Sequence, residues 1–542
     1  MHDIDYPGFG PSRIDDAAIP GGHWFADGIK RIWNHLCCSR KFRADHWTAC
    51  YHHPGSSDPW FLPAYGSDYG GGFLNSAYIW ILFPLMMAAV LLLLMRWRTL
   101  VAIIGTAISI TLAGLAAWLP AQDQLVIWRW VLPFSDTFVI FGRRLVLAGD
   151  DRPALIILFL AAALWFGAAP LARPTRLFVP FGLAMVALFT AAIAVEPFLF
   201  AAVLIEIAVL LSIPFLSPPG SSVSHGVLRY LTFQSLGMPF LLIAGFLFTG
   251  IEVNPGDQEF VTIAIALLAI GFALMLAVFP FHTWVPMLAE ETHPYPTFFV
   301  LLLLPIVISI LGLGFIDNFI WIKDNPNTGI LVQVIGVIMV ITAGVWAAVE
   351  KNLSRMIGFA VILDIGFSLL AISLTTGEDS TIYRMLFYAG LLPRSLSLVV
   401  LALALSILIN RLPDFDIGEL RSLFKKNPVI SISIVVSLLS IAGMPLLASF
   451  PQKLGLIEGL SSQATAISTW VIAGSLGLII GAVRLLRSMV SDGDDPEESI
   501  PGSRLANVYL WIGIGLLFLV GLLPNIFLQL VTRFPGAFGA QG

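Results

Sequence analysis

The chain has 542 residues, 58% of them hydrophobic and only 12% charged, with a formal net charge of −5. Its mean hydropathy is +0.88, whereas about a quarter of an average soluble domain is charged. A soluble enzyme and a disordered chain are excluded, and no basic field is present to attract a nucleic acid. What remains is an all-α polytopic membrane protein, for which the useful unit is a span of about 20 residues.

Residues 1–75 form a polar N-terminal extension rich in Gly, Pro, His and Asp. No apolar run follows Met1, so no cleavable signal peptide is expected. A short helix is expected near 26–35. Cys37, Cys38 and Cys50 lie among His35, His46, His52 and His53. The odd cysteine count and the spacing match no zinc pattern, so no metal site is assigned.

From residue 76 apolar runs alternate with short polar breaks, giving about fourteen expected transmembrane helices. They fall at 76–95, 100–119, 153–171, 177–194, 197–215, 227–250, 259–280, 294–316, 328–349, 355–375, 382–410, 428–448, 463–487 and 505–531. Lipid offers the backbone no hydrogen bonds, so helices are the economical form. Pro214, Pro239, Pro305, Pro393 and Pro445 fall inside these runs or at their ends, where proline breaks helices and frees carbonyls. The breaks after the odd-numbered spans hold most of the Lys and Arg outside the extension. That puts them in the cytoplasm and both termini outside. Lys30, Arg31, Arg40, Lys41 and Arg43 pull the other way, and the side of the extension stays open. The expected location is the cell (inner) membrane.

A charge at mid-membrane costs about 2.5–3.5 kcal/mol on insertion scales, so a retained one has a reason. Glu206, Asp364, Arg394 and Lys453 sit in or beside otherwise apolar runs. His282, Glu290, Glu291 and His293 border the break between the seventh and eighth spans. Each charge has a plain alternative, a snorkelling or paired structural role. Together, four charges on four helices suit a row of titratable groups that passes protons or small cations. The sequence has no P-loop, dinucleotide-binding glycine pattern or nucleophile elbow, and no span pairs histidines for haem. No catalytic residue is assigned to this chain.

Four stretches carry a family resemblance. The first is Gly271-Phe-Ala-Leu-Met-Leu-Ala-Val-Phe-Pro-Phe-His-Thr-Trp-Val-Pro286, and the second His293-Pro-Tyr-Pro-Thr297. The third is Lys351-Asn-Leu-Ser-Arg-Met-Ile-Gly-Phe359, and the fourth Ser440-Ile-Ala-Gly-Met-Pro-Leu-Leu-Ala-Ser-Phe-Pro-Gln-Lys453. With the Leu304-Pro305 step, these make residues 76–532 similar to the antiporter-like membrane subunits of respiratory complex I, which are related to Mrp-type antiporters. The N-type subunit of bacterial NADH:quinone oxidoreductase is the paralogue most resembled.

The resemblance implies helices 1–3 over 76–171, then two inverted five-helix repeats over 172–316 (helices 4–8) and 317–490 (helices 9–13). Helix 14 follows within 491–542. Each repeat would contain a broken helix beside a hydrated polar axis, with breaks expected at 293–297 in helix 8 and at 440–453 in helix 12. Carried over by position, Glu206 matches the fifth-helix glutamate, an entry-side proton acceptor. Lys453 matches the twelfth-helix lysine at the exit, and His282 the loop histidine. Asp364 and Arg394 are further candidates for the pathway.

The departures are equally specific. The family's seventh-helix lysine falls on Met275, its eighth-helix lysine on Ile306, and its eleventh-helix basic centre near Leu392. Arg394 lies two residues further on, about 200° around a helix, and is expected to point elsewhere unless Pro393 re-aims it. Arginine also keeps its proton near neutral pH, which makes it a poor relay. Met275 leaves Glu206 without a cation to pair with its charged form.

The expectation is therefore an antiporter-like subunit of a complex I-like, redox-driven proton pump with a degenerate central lysine pathway. Quinone, flavin and iron–sulfur clusters would reside only in partner subunits of a multi-subunit membrane complex. Two alternatives stand beside it. One is a subunit of a non-redox Mrp-type cation/proton antiporter or an inorganic-carbon uptake complex. The other is a non-conducting structural spacer.

Overall fold

The computed structural model describes residues 74–524 except 119–123, 128–129, 136, 141, 148–150, 221, 254–257, 324–325, 378–379, 410–414 and 492–502. The N-terminal extension, with its expected helix, cysteines and histidines, lies outside the described residues. So does the end of the last span.

The helices, in chain order, are α1 (Tyr78–Leu93), α2 (Arg98–Trp118), α3 (Arg152–Ala172), α4 (Phe178–Ala194), α5 (Leu199–Leu216) and α6 (His225–Val253). Next come α7 (Gln258–Met275), α8 (Trp284–Glu291), α9 (Pro294–Asn318), α10 (Ile320–Lys323), α11 (Pro326–Val349) and α12 (Leu353–Leu374). The last six are α13 (Ser380–Leu408), α14 (Leu423–Lys426), α15 (Pro428–Ala442), α16 (Phe450–Gln463), α17 (Thr465–Val490) and α18 (Arg504–Leu522). Among the described residues, ten helices are long and apolar enough to cross a membrane, and four apolar helices are shorter. The protein is a multi-pass integral membrane protein.

One order of elements occurs twice. Helices α4, α5, α6, an interrupted α7–α8 and α9 are followed by α11, α12, α13, an interrupted α15–α16 and α17. The first interruption corrects the expected break in helix 8. The chain leaves helix at Leu276–Pro280, where Ala277 adopts φ 55°, and α9 then runs unbroken through Pro305. Pro294 and Pro296 do not break α9 because they sit in its first turn, where no N–H is needed. His293 caps that turn, its Nδ1 accepting from the Tyr295 N–H at 3.3 Å. The second interruption falls as expected. Helix α15 ends at Ala442, Gly443 turns left-handed at φ 83°, and α16 starts at Phe450.

Helices α9, α12 and α13 are almost wholly buried and form the centre. Outer helices present Ile103, Phe246, Val345, Trp470, Ile480 and Leu505 outward, an apolar surface suited to lipid. Helices α11 and α17 meet along a glycine seam: a Cβ on Gly344 would collide with the Gly474 carbonyl, and one on Gly477 with that of Gly344. Small residues give membrane helices this close approach.

Short strands fill the connections that the hydropathy pattern leaves unassigned. Gln124–Ile127 (β2) pairs antiparallel with Trp130–Ser135 (β3), to which Leu74–Asn75 (β1) adds in parallel. Thr137–Ile140 (β4), Arg143–Val146 (β5) and Val195–Glu196 (β6) form an antiparallel set in which Leu145 is opposite both Phe138 and Val195. Ion pairs tie the two runs of helices together. Arg384 meets Asp317 at 2.7 Å and Arg355 meets Glu290 at 3.5 Å, while Arg355 also pairs within the second run with Glu350 at 3.3 Å. Glu291 accepts from the Gly226 N–H at 2.7 Å, capping the start of α6.

Candidate proton-transfer site

The second helix break creates the site. In an unbroken helix the Ile441 carbonyl would accept from residue 445, but Pro445 has no N–H to give. The orphaned carbonyl instead accepts from Lys453 Nζ, carried on the first turn of α16. The carbonyl end of α15 also favours a cation. A charge is thus held at the break by backbone that proline set free.

Lys453 Nζ lies 3.1 Å from Asp364 Oδ1 and 4.1 Å from the centre of the Phe367 ring. The other carboxylate oxygen, Oδ2, is 3.1 Å from Arg394 Nε. Arg394 Nη1 donates to Ser368 Oγ at 3.4 Å, and Ser368 Oγ donates to the Asp364 carbonyl at 3.2 Å. Nη2 of Arg394 has no hydrogen-bond partner among the described residues. The three charged residues are all buried: Asp364 is 8% exposed, Arg394 2% and Lys453 2%. Asp364 and Arg394 each sit near the midpoint of a long membrane helix, about 15–21 Å from its ends at 1.5 Å per residue. One carboxylate therefore serves two cations, and the cluster carries an excess positive charge when all three are ionised.

The chemistry of the two cations differs. Arginine stays protonated, whereas a lysine amine can give up its proton. Asp364 paired to Arg394 is already neutralised, so Lys453 is the member whose proton can leave without stranding an ion. A cavity of about 20 Å³ lined by Asp364, Ser368, Gln452 and Lys453 lies beside it, room for about one water.

Arg394 therefore does not point away, as the two-residue offset from Leu392 predicts. Leu392 is half-buried while Arg394 turns into the cluster. Pro393 lies within a continuous α13, so the basic group enters at its own register. Sequence reasoning names the three charges but misses Ser368, Phe367 and the Ile441 carbonyl. The signals for two of these were present: Ser368 is one turn from Asp364, and Pro445 is four residues after Ile441.

The first run of helices holds a different arrangement. Glu206 on α5 accepts from Ser235 Oγ on α6 at 2.5 Å. Its Oε2 has no hydrogen-bond partner, and no cation pairs with it among the described residues. At the α7 break the Met275 carbonyl accepts from Gln234 Nε2 at 3.2 Å, a neutral amide where the second break has a lysine. Met275 and Ile306, where the resemblance places two lysines, are fully buried. His282 stacks on Phe279 with ring centres 5.4 Å apart, and Trp284 is fully buried against Tyr230. Both belong to the packing of the break. The structure brings Asp364, Arg394 and Lys453 together and leaves Glu206 and His282 in separate surroundings.

Known proteins share a likeness with the segment that holds this site. Residues 246–481 match the family model described as NADH:quinone oxidoreductase/Mrp antiporter, TM. This segment is similar to the membrane domain of that family. It contains the whole Asp364–Arg394–Lys453 cluster and both helix breaks, while Glu206 precedes it. NADH-quinone oxidoreductase subunit M of Rickettsia prowazekii is 28% identical over 271 residues, 48% of this chain and 52% of that protein. Subunit N of Pelobacter propionicus is 25% identical over 355 residues, 60% of this chain and 74% of that protein. The chain thus matches about half the length of the first of these relatives. A chain in the structure of the Mrp complex from Dietzia sp. DQ12-45-1b has the same fold as this chain, with a TM-score of 0.70. It is 18% identical, and the match covers 86% of this chain and 97% of that one.

Proposed function

We propose that the chain is an antiporter-like membrane subunit of a complex I-like, redox-driven proton pump, and that its second helix run moves protons through Lys453. The observation that carries the reading is the buried Asp364–Arg394–Lys453 cluster at the α15–α16 break. Charge at mid-membrane is costly, and here it is supplied with a fixed counter-ion, a releasable proton and a water-sized cavity. The names of the relatives of subunit M and N type support the redox assignment. Arg394 pairs with Asp364, Asp364 attracts the proton to Lys453, and Lys453 delivers it toward the exit. Glu206 is the entry-side acceptor, and His282 positions the first break. The burial of Met275 and Ile306 makes the central pathway degenerate, with the two helix runs related as inverted repeats. Electron transfer belongs to partner subunits that carry quinone, flavin and iron–sulfur centres, and the C-terminus of this chain faces outward.

The test uses the complex in native membrane vesicles. Lys453→Met and Glu206→Gln are each expected to abolish the proton flux coupled to quinone reduction while the electron-transfer rate of the partners is retained. Unchanged flux in both variants would leave this subunit a spacer. Mass spectrometry of the gently extracted complex separates the remaining reading. Redox subunits are expected alongside the chain, and their absence beside small antiporter subunits would make it an Mrp-type component.

A further inference from the structure

A second cavity lies between the two helix runs, away from the charged cluster. It has a volume of about 120 Å³ and is walled by α7, α9, α11 and α12, with Phe272, Ser309, Gly312 and Ile335 among its lining residues. Its wall is almost wholly apolar. Water needs two to four polar partners to settle in such a space. Deep in the wall, the Ser309 hydroxyl offers one group, itself without a hydrogen-bond partner among the described residues. The space is thus too apolar to fill with water and large enough to bind an apolar guest.

The cavity is not sealed. Leu331 lines it and is also 44% exposed on the outer face of α11, beside exposed Val334 and Ile338. Across the opening, α7 exposes Ile263 and Ile270. The mouth therefore opens between α7 and α11 onto the same apolar surface that meets lipid. At one end Ile322 lines the cavity, and the next residue is Lys323, the last of α10 and a cation at the end of the membrane helices. An apolar slot opening to lipid with a cation at its end matches an amphiphile with a negative head and a hydrocarbon tail.

We propose that this slot takes a short mid-chain segment of one acyl chain of a membrane phospholipid, with its phosphate drawn to Lys323. The acyl segment fills the gap between the helix runs beside Ser309 and Gly312. This site does not depend on proton conduction through Lys453, so the two readings fail separately.

The test is photocrosslinking of the full chain in its native membrane with a phosphatidylglycerol that carries a diazirine in mid-chain. Peptide mapping is expected to place adducts on the segments around Phe272, Gly312 and Ile335. Gly312→Leu should lower them at least tenfold, because a Cβ at Gly312 meets only the edge of the Phe272 ring, at 3.6 Å, and the remaining side chain extends into the slot. Lys323→Ala should weaken crosslinking several-fold without changing its position. Ser309→Ala serves as the variant that leaves packing intact and should keep the adducts. Adducts unchanged by Gly312→Leu, or none at these segments in the wild type, would overturn the proposal. So would displacement of the lipid adducts by a quinone carrying the same photoreactive group.

Discussion

Replacing Asp364 by Asn removes the one anion from a site that keeps two cations. Coulomb's law at the observed 3.1 Å separations gives about 5 kcal/mol of attraction per pair at an effective dielectric constant of 20. Desolvation offsets most of that, but taking away one partner of a buried pair still costs about 3–5 kcal/mol. The two cations do not suffer equally. Lys453 can escape by releasing its proton, whereas Arg394 cannot. Asp364→Asn is therefore expected to destabilise the assembled complex strongly, and adding Arg394→Gln should restore much of the loss. The assay is thermal denaturation of the detergent-solubilised complex for the wild type, both single variants and the double variant. The coupling energy between the two positions is expected to reach about 2 kcal/mol, within the range for residues in contact. Additivity to within about 0.5 kcal/mol would refute the reasoning that one carboxylate serves both cations.

Met275→Lys is expected to lower assembly, because Met275 is fully buried and packs where a Cβ on Gly237 would meet its Cγ at 2.5 Å; normal assembly, read by native gel, would show that water reaches the position. Gly344→Val should cost more than the about 1–3 kcal/mol usual for overpacking, since backbone rather than a side chain stands in the way, and a melting temperature equal to the wild type would contradict the seam. Burial pushes His293 from 6.5 down to about 4, and its neutral ring is the form that accepts the Tyr295 N–H. The unfolded chain takes up this proton first, so the contribution is complete above pH 6.5 and fades as pH falls toward 4. Protection of the α9 N-terminus in hydrogen exchange should follow that course in the wild type and flatten in His293→Asn.

The membrane helices were legible because a bilayer imposes one strong constraint, length of apolar run, and the runs announce it. The α15–α16 break was legible too, since Gly443 and Pro445 act locally. The α7 break was assigned one element late, because Pro294 and Pro296 look like breakers until their position in a first turn is known. The short strands between 124 and 146 gave little signal, being four to six residues of ordinary β-forming composition. At the site, the cost of burial marked Asp364, Arg394 and Lys453 individually. Their convergence was not readable, because it depends on how three helices are rotated. A carry-over by alignment favoured Leu392 and gave Arg394 the wrong direction.

The glycine seam between α11 and α17 constrains how the protein can move. With carbonyls of one helix seated against the α-carbons of the other, neither can slide along its partner without the backbones colliding. Rotation about the helix axes would bring larger side chains into the same contact. The pair behaves as a stiff post, fixed to one side of the second helix run. The unwound 443–449 segment lies outside that seam and is not held by it. On this flank, rocking of one bundle against another would have to break backbone-to-backbone contacts first.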